Sequence, residues 1–147
     1  MKINFRGVVA EELSFKMNRV KLEPNSRLDI KPQFSRQVRK VKDNPKLNFI
    51  ALSIKIESTE AEPKPFDIHI TLVGTFEVED MVAGSEQERE FVIEGTKMLF
   101  PYLRAAVTNL TASAYIAPLN LPVINGPIFP EDRDVYAFTV GGEEKLN

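Results

Sequence analysis

The chain has 147 residues, an apolar share of 43%, a formal net charge of -2 and no cysteine. That length suits one domain with a real core, the charge gives no general drive toward nucleic acid, and disulfide and thiolate chemistry are excluded. No run of about eighteen apolar residues is present to span a bilayer, and Met1-Lys2-Ile3-Asn4-Phe5-Arg6 lacks an apolar leader core, so the expected location is the cytoplasm.

The first segment mostly alternates. Ile3, Phe5, Val9, Leu13, Phe15 and Met17 fall on odd positions, and Asn4, Arg6, Glu12, Ser14 and Lys16 on even ones. Period two predicts a strand with one dry and one wet face. Val8 and Glu11 break the pattern, and Gly7, placed by parity on the dry face, marks a bulge or a close approach. Pro24-Asn25-Ser26 signals a turn, and Leu28 and Ile30 begin a second extended piece that Pro32 interrupts. A basic run over 35–42 follows, and Asp43-Asn44-Pro45 reads as a turn.

The next strand places Ile50, Leu52, Ile54 and Ile56 on one side. Residues 60–65 form a short polar connection suited to a hairpin. In the last strand Phe66, Ile68, Ile70, Leu72, Gly74, Phe76 and Val78 all lie on even positions, while Asp67, His69, Thr71, Thr75, Glu77 and Glu79 face the other way. Strands joined by short polar links favour an antiparallel meander whose dry face needs a cover.

The period then changes. Ser85 caps a helix, with Glu86, Glu88 and Glu90 in the first turns, where the dipole favours acids. Gly95 and Pro101 predict a break or kink, after which Leu103, Val107, Leu110 and Ala114 recur at helical spacing. Small residues on more than one face, among them Ala105, Ala106, Thr108, Ala112 and Ser113, suit a helix held between its own sheet and another subunit. Pro118 and Pro122 end regular structure. Residues 126–147 read as an irregular extension with a short alternation over 135–140 and a disordered end at 143–147.

Little chemistry emerges. His69 is the only histidine, lies on a wet strand face and has no ligand partners at metal spacing. Asp132 and Asp134 form a carboxylate pair in a polar tail and read as solvated. Gly141-Gly142 is not a phosphate loop, because no Lys-Ser/Thr follows, and the glycosylation pattern at 109–111 falls mid-helix. Arg36, Arg39, Lys40 and Lys42 form the strongest charge cluster. It reads either as a charged edge that resists strand pairing or as a patch for an acidic partner or nucleic acid. No catalytic residue, metal ligand or cofactor is assigned.

The stretch Leu99-Phe100-Pro101-Tyr102-Leu103-Arg104, with Pro118-Leu119-Asn120-Leu121-Pro122-Val123-Ile124-Asn125 following the helix, resembles the helix start and loop of the SecB-type export chaperones. The strand with Phe66 at its start and Gly74-Thr75-Phe76 at its end, and Leu13-Ser14-Phe15 in the first strand, resemble the same family. The resemblance implies an α+β domain over 1–125, a four-stranded antiparallel sheet with a long helix packed on one face. It implies a homo-oligomer, a dimer or a dimer of dimers, that holds unfolded polypeptides in apolar grooves without nucleotide and hands them to the SecA motor. The client-binding candidates are Phe100, Tyr102, Phe66, Phe76 and Leu121, the strand residues being core first with client contact at their ends. The family's acidic docking patch for the motor's basic tail falls on Glu12, Lys16 and His69. Only Glu12 keeps the acid, and a cation at Lys16 opposes a basic partner. The function expected is an ATP-independent holdase. The alternatives are a binding module dedicated to one polypeptide such as an antitoxin, or a nucleic-acid binder through the basic cluster.

Overall fold

The computed structural model describes residues 2–20, 30–79, 81–122 and 126–133. Strands β1 (Ile3–Met17), β2 (Gln33–Val41), β3 (Asn44–Ile56) and β4 (Phe66–Val78) precede one helix, α1 (Glu86–Ser113), and a 3-10 turn at Pro130–Arg133. Every strand pairing is antiparallel, and the helix covers one sheet face, in line with the α+β expectation. The spatial order is β1-β4-β3-β2. β2, β3 and β4 run as a meander through short links, while β1 sits on the far side of β4. β1 and β2 are therefore the edge strands of the sheet among the described residues.

The period-two runs become faces as expected. Ile50, Leu52, Ile54 and Ile56 of β3 and Phe66, Ile68, Ile70, Leu72, Phe76 and Val78 of β4 are buried beneath Phe91, Leu99, Leu103 and Val107 of α1. Each such side chain contributes about 1.5–3 kcal/mol on leaving water. β1 is less simple. Its register to β4 shifts between Phe5 and Gly7 and again between Ala10 and Glu12. These bulges account for the breaks at Val8 and Glu11. They also correct the face of Gly7, which pairs with Thr75 on the wet side, and they turn Val9 outward opposite Val73. Gly7 has φ +153, a backbone that L side chains rarely adopt, so a bulge there calls for glycine.

The helix starts as the sequence predicts: Ser85 Oγ accepts from the Glu88 N–H at 3.2 Å. The expected break is absent, and α1 runs unbroken through Gly95 and Pro101. Gly95 is buried where the helix presses on the sheet. A Cβ there would lie 2.4 Å from Ile50 Cδ1, so its lack of a side chain permits the contact. Pro101 lies on the exposed side, where water can serve the carbonyl that loses its N–H partner.

Residues 126–133 pack on the body of the domain rather than beyond the boundary expected at 125, with Phe129 and Asp132 both buried. The turn expected at Pro24-Asn25-Ser26, Leu28, the motif residues Val123, Ile124 and Asn125, Asp134, the alternation over 135–140, Gly141-Gly142 and the end expected to be disordered lie outside the described residues.

Candidate functional site

An apolar concavity lies where the start of β2, the middle of α1 and the loop after α1 meet. Ile30, Pro32, Phe34, Phe100, Leu119 and Leu121 line a groove of about 230 Å³. Phe34 stands edge-on to Phe100, with ring centroids 6.0 Å apart and planes at 67°. The far wall is held by polar side chains on one stripe of the helix. Arg104 Nε donates to the Leu121 carbonyl at 3.2 Å, Thr108 Oγ1 to the Leu119 carbonyl at 3.1 Å, and Thr111 Oγ1 accepts from the Leu119 N–H at 2.8 Å. Residues 104, 108 and 111 recur at helical spacing, so one face of α1 fastens the loop that completes the groove. The edge strand β2 runs alongside it.

The five client-binding candidates separate. Phe100 and Leu121 wall the groove, each largely buried. Tyr102 is 46% exposed but points elsewhere, its ring 5.7 Å from Phe5 near β1. Two helical residues span about 200°, which puts positions 100 and 102 on opposite sides. Phe76 and Phe66 are core side chains, a correction to their candidacy. Phe76 is fully buried between Phe5 at 5.2 Å and Phe91 at 5.4 Å, and Phe66 packs at 5.7 Å on Phe15. Both face the dry side, where β1 and α1 cover them. Ile30, Phe34 and Leu119 belong to the groove, and sequence reading missed that role; an apolar position on either side of Pro32 was the available signal.

The basic cluster also resolves into internal pairs. Even positions of β2 face the dry side, so Arg36 lies between Phe34 and Val38 under the helix. Its two Nη groups donate to the Asp132 carboxylate, both at 2.7 Å, one also reaches Thr96 Oγ1 at 3.1 Å, and the guanidinium stacks on Phe129 at 4.2 Å. Asp132, read from sequence as solvated, is a buried clasp residue that pins the 3-10 turn to β2. Arg39 donates to Glu11 at 2.7 and 3.0 Å, across the wet face from one edge strand to the other, and holds that carboxyl below its ordinary range. Lys40 pairs with Glu88, which is lowered first by this bond. Arg36, Arg39 and Lys40 each have an acidic partner, which gives the alternative of a patch for an acidic partner or nucleic acid little support.

Glu12, Lys16 and His69 do share the wet face. His69 Nδ1 lies 3.3 Å from Glu12 Oε2, and Lys16 pairs in register with Asp67. At the same end, Asp67 accepts from the Ser58 N–H at 2.8 Å and from Asn18 Nδ2 at 2.9 Å, bonds that hold its carboxyl below the usual range. Among the described residues no group of three or more His, Cys, Asp or Glu could hold a metal ion, and no helix is long and apolar enough to cross a membrane.

The family described as preprotein translocase subunit SecB matches residues 2–129. An uncharacterised protein of Methanocaldococcus jannaschii is 29% identical over 127 residues, 84% of this chain and 79% of that protein. The protein-export protein SecB of Anaplasma marginale is 28% identical over 98 residues, 67% of this chain and 53% of its own length. The chain thus spans about half the length of the curated export proteins it matches. Among solved structures, a SecB-like chaperone of Mycobacterium tuberculosis, in complex with a peptide from the HigA1 antitoxin, superposes with a TM-score of 0.71. It is 19% identical, covering 86% of this chain and 93% of that one.

Proposed function

The chain belongs to the SecB family, and from that premise we propose that it is an ATP-independent holdase of the cytoplasm, without enzymatic activity, that binds unfolded polypeptides. The observation that carries this reading is the groove walled by Phe34, Phe100 and Leu121 beside the edge of β2 that has no strand partner among the described residues. An unfolded chain offers apolar side chains and unpaired backbone groups. The groove buries the former, and a free strand edge can pair the latter. Apolar burial is non-directional, about 25 cal/mol per Å², so such binding tolerates many sequences. Exposed Val9, Leu13, Met17, Met98 and Tyr102 on β1 and the outer side of α1 support a homo-oligomer.

The test is light scattering of a refolding enzyme titrated with the protein and no nucleotide. Suppressed aggregation is the expected result; unchanged scattering sinks the holdase reading. A second reading, a module dedicated to one polypeptide, draws support from the antitoxin peptide held by the M. tuberculosis SecB-like chaperone. Tight capture of a single partner with weak binding to generic unfolded chains would favour it. Handover to a motor through a basic tail draws little support from the three matched positions, of which Glu12 alone is acidic beside Lys16 and His69.

A further inference from the structure

We infer that residues 126–133 are a tethered strap that fills the continuation of the groove, and that a client long enough to reach past the groove displaces it; this deepens the holdase reading and rests on it. One stripe of α1 serves both regions. Its later part, Arg104, Thr108 and Thr111, fastens the loop that walls the groove. Its earlier part receives the strap. Arg89 donates to the Glu131 carbonyl at 3.2 Å, and Ile93, Thr96 and Phe100 line a concavity together with Pro127, Ile128 and Asp132. Positions 89, 93, 96 and 100 continue the spacing of 104, 108 and 111, so all lie on one helix face. β2 divides in the same way. Phe34 lines the groove, and Arg36, two residues on and on the same sheet face, holds Asp132. Phe100 lines both regions, which makes them one crevice between α1 and β2.

The strap occupies this crevice as an apolar client segment would. Phe129 is buried with its ring 4.2 Å from the Arg36 guanidinium, and Ile128 packs against the core. Two polar contacts hold the strap, the buried pair of Asp132 with Arg36 at 2.7 Å and the exposed bond from Arg89. Its fit to the helix is loose. A concavity of about 180 Å³ remains between them, whereas close-packed interiors leave few voids larger than a water. A short segment held at so few points opens locally at less cost than the domain unfolds. A client that needs the whole crevice binds only while the strap is open, and its apparent affinity falls by the open fraction. From Arg89 to Phe100 the helix rises about 17 Å, the reach of about five extended residues; the groove from Phe100 to Thr111 is about as long.

The test uses the full chain and two labelled, uncharged apolar peptides, one of about five residues and one of about ten. Fluorescence anisotropy gives their affinities for the parent, for Asp132→Ala, and for Arg36→Met with Asp132→Leu. The long peptide is expected to bind Asp132→Ala about tenfold more tightly than the parent, and the short one equally well to both. Because neither peptide is charged, the bared Arg36 cannot be the source of that gain. In the double variant an apolar contact replaces the ion pair and keeps the strap seated, so both peptides should bind as they do to the parent. Hydrogen exchange of the parent needs no variant: the bound long peptide should quicken exchange at 126–133, and the bound short one should not. A gain in Asp132→Ala that is equal for the two peptides, or no gain, overturns the strap. So does a segment 126–133 that stays protected while the long peptide is bound. Each of these results leaves the holdase reading standing. Binding of neither peptide to the parent or to Asp132→Ala overturns the holdase reading and the strap with it.

Discussion

Removing the Asp132 carboxylate should destabilise the domain by about 3 kcal/mol. Side-chain exposure is 13% for Arg36 and 6% for Asp132, and the two share a bidentate pair at 2.7 Å. In Asp132→Ala the guanidinium stays under the helix with only the Thr96 hydroxyl and the Phe129 ring. Two charge-assisted bonds are lost, each about 1.5–3 kcal/mol, and residual water at Arg36 recovers part of that. The net falls at the lower end of the roughly 3–5 kcal/mol seen when one partner of a buried pair is removed. For a chain of this size that is about 9 °C in Tm, at about 3 °C per kcal/mol. Replacing both partners with apolar residues of similar volume, Arg36→Met with Asp132→Leu, should bring stability back to within about 1 kcal/mol of the parent. Urea unfolding at one fixed protein concentration measures Asp132→Ala, the double variant and its two singles. A loss below about 1 kcal/mol in Asp132→Ala, or a double variant as unstable as the sum of its singles, would refute the clasp.

Gly95→Ala should lose about 1–2 kcal/mol despite better helix propensity, because the new methyl meets Ile50 Cδ1 at 2.4 Å. Adding Ile50→Val, which removes that atom, should recover most of the loss in the same unfolding assay. Tyr115 is 96% exposed at φ 63, just past the helix end. Tyr115→Gly should therefore stabilise by about 1 kcal/mol, read as a higher Tm, by relieving a left-handed backbone. Asp67 titrates lower in the folded state than in the unfolded chain, so below the ordinary carboxylate range the unfolded state binds more protons. Its stabilising contribution is full above the unfolded pKa and fades as pH falls through the lowered folded value. Asp67→Asn should flatten that acid limb of stability against pH; an unchanged slope would show that the Ser58 and Asn18 bonds contribute nothing to it.

Much of this molecule was legible from neighbouring residues. Even-numbered apolar positions in 50–56 and 66–78 face one way because strand side chains alternate. Ser85 begins the helix because a hydroxyl at that point satisfies a free backbone N–H. The segment 99–104 and the loop after it carried the family resemblance, and Phe100 and Leu121 within them line the groove. These inferences need only a few residues of context, since propensity, capping and periodicity are local properties.

Other features depend on segments far apart in the chain. Arg36 lies 96 residues from the acid that neutralises it, so Asp132, which reads as solvated, becomes half of a buried clasp once the 3-10 turn reaches β2. Gly95 does not interrupt the helix, because the missing side chain is what Ile50 requires. The seat of β1 beside β4, and the bulges that turn Val9 outward, come from pairing across the sheet. In each case the side chain's environment is supplied by residues remote along the chain, and no periodicity within its own segment records which of them will arrive.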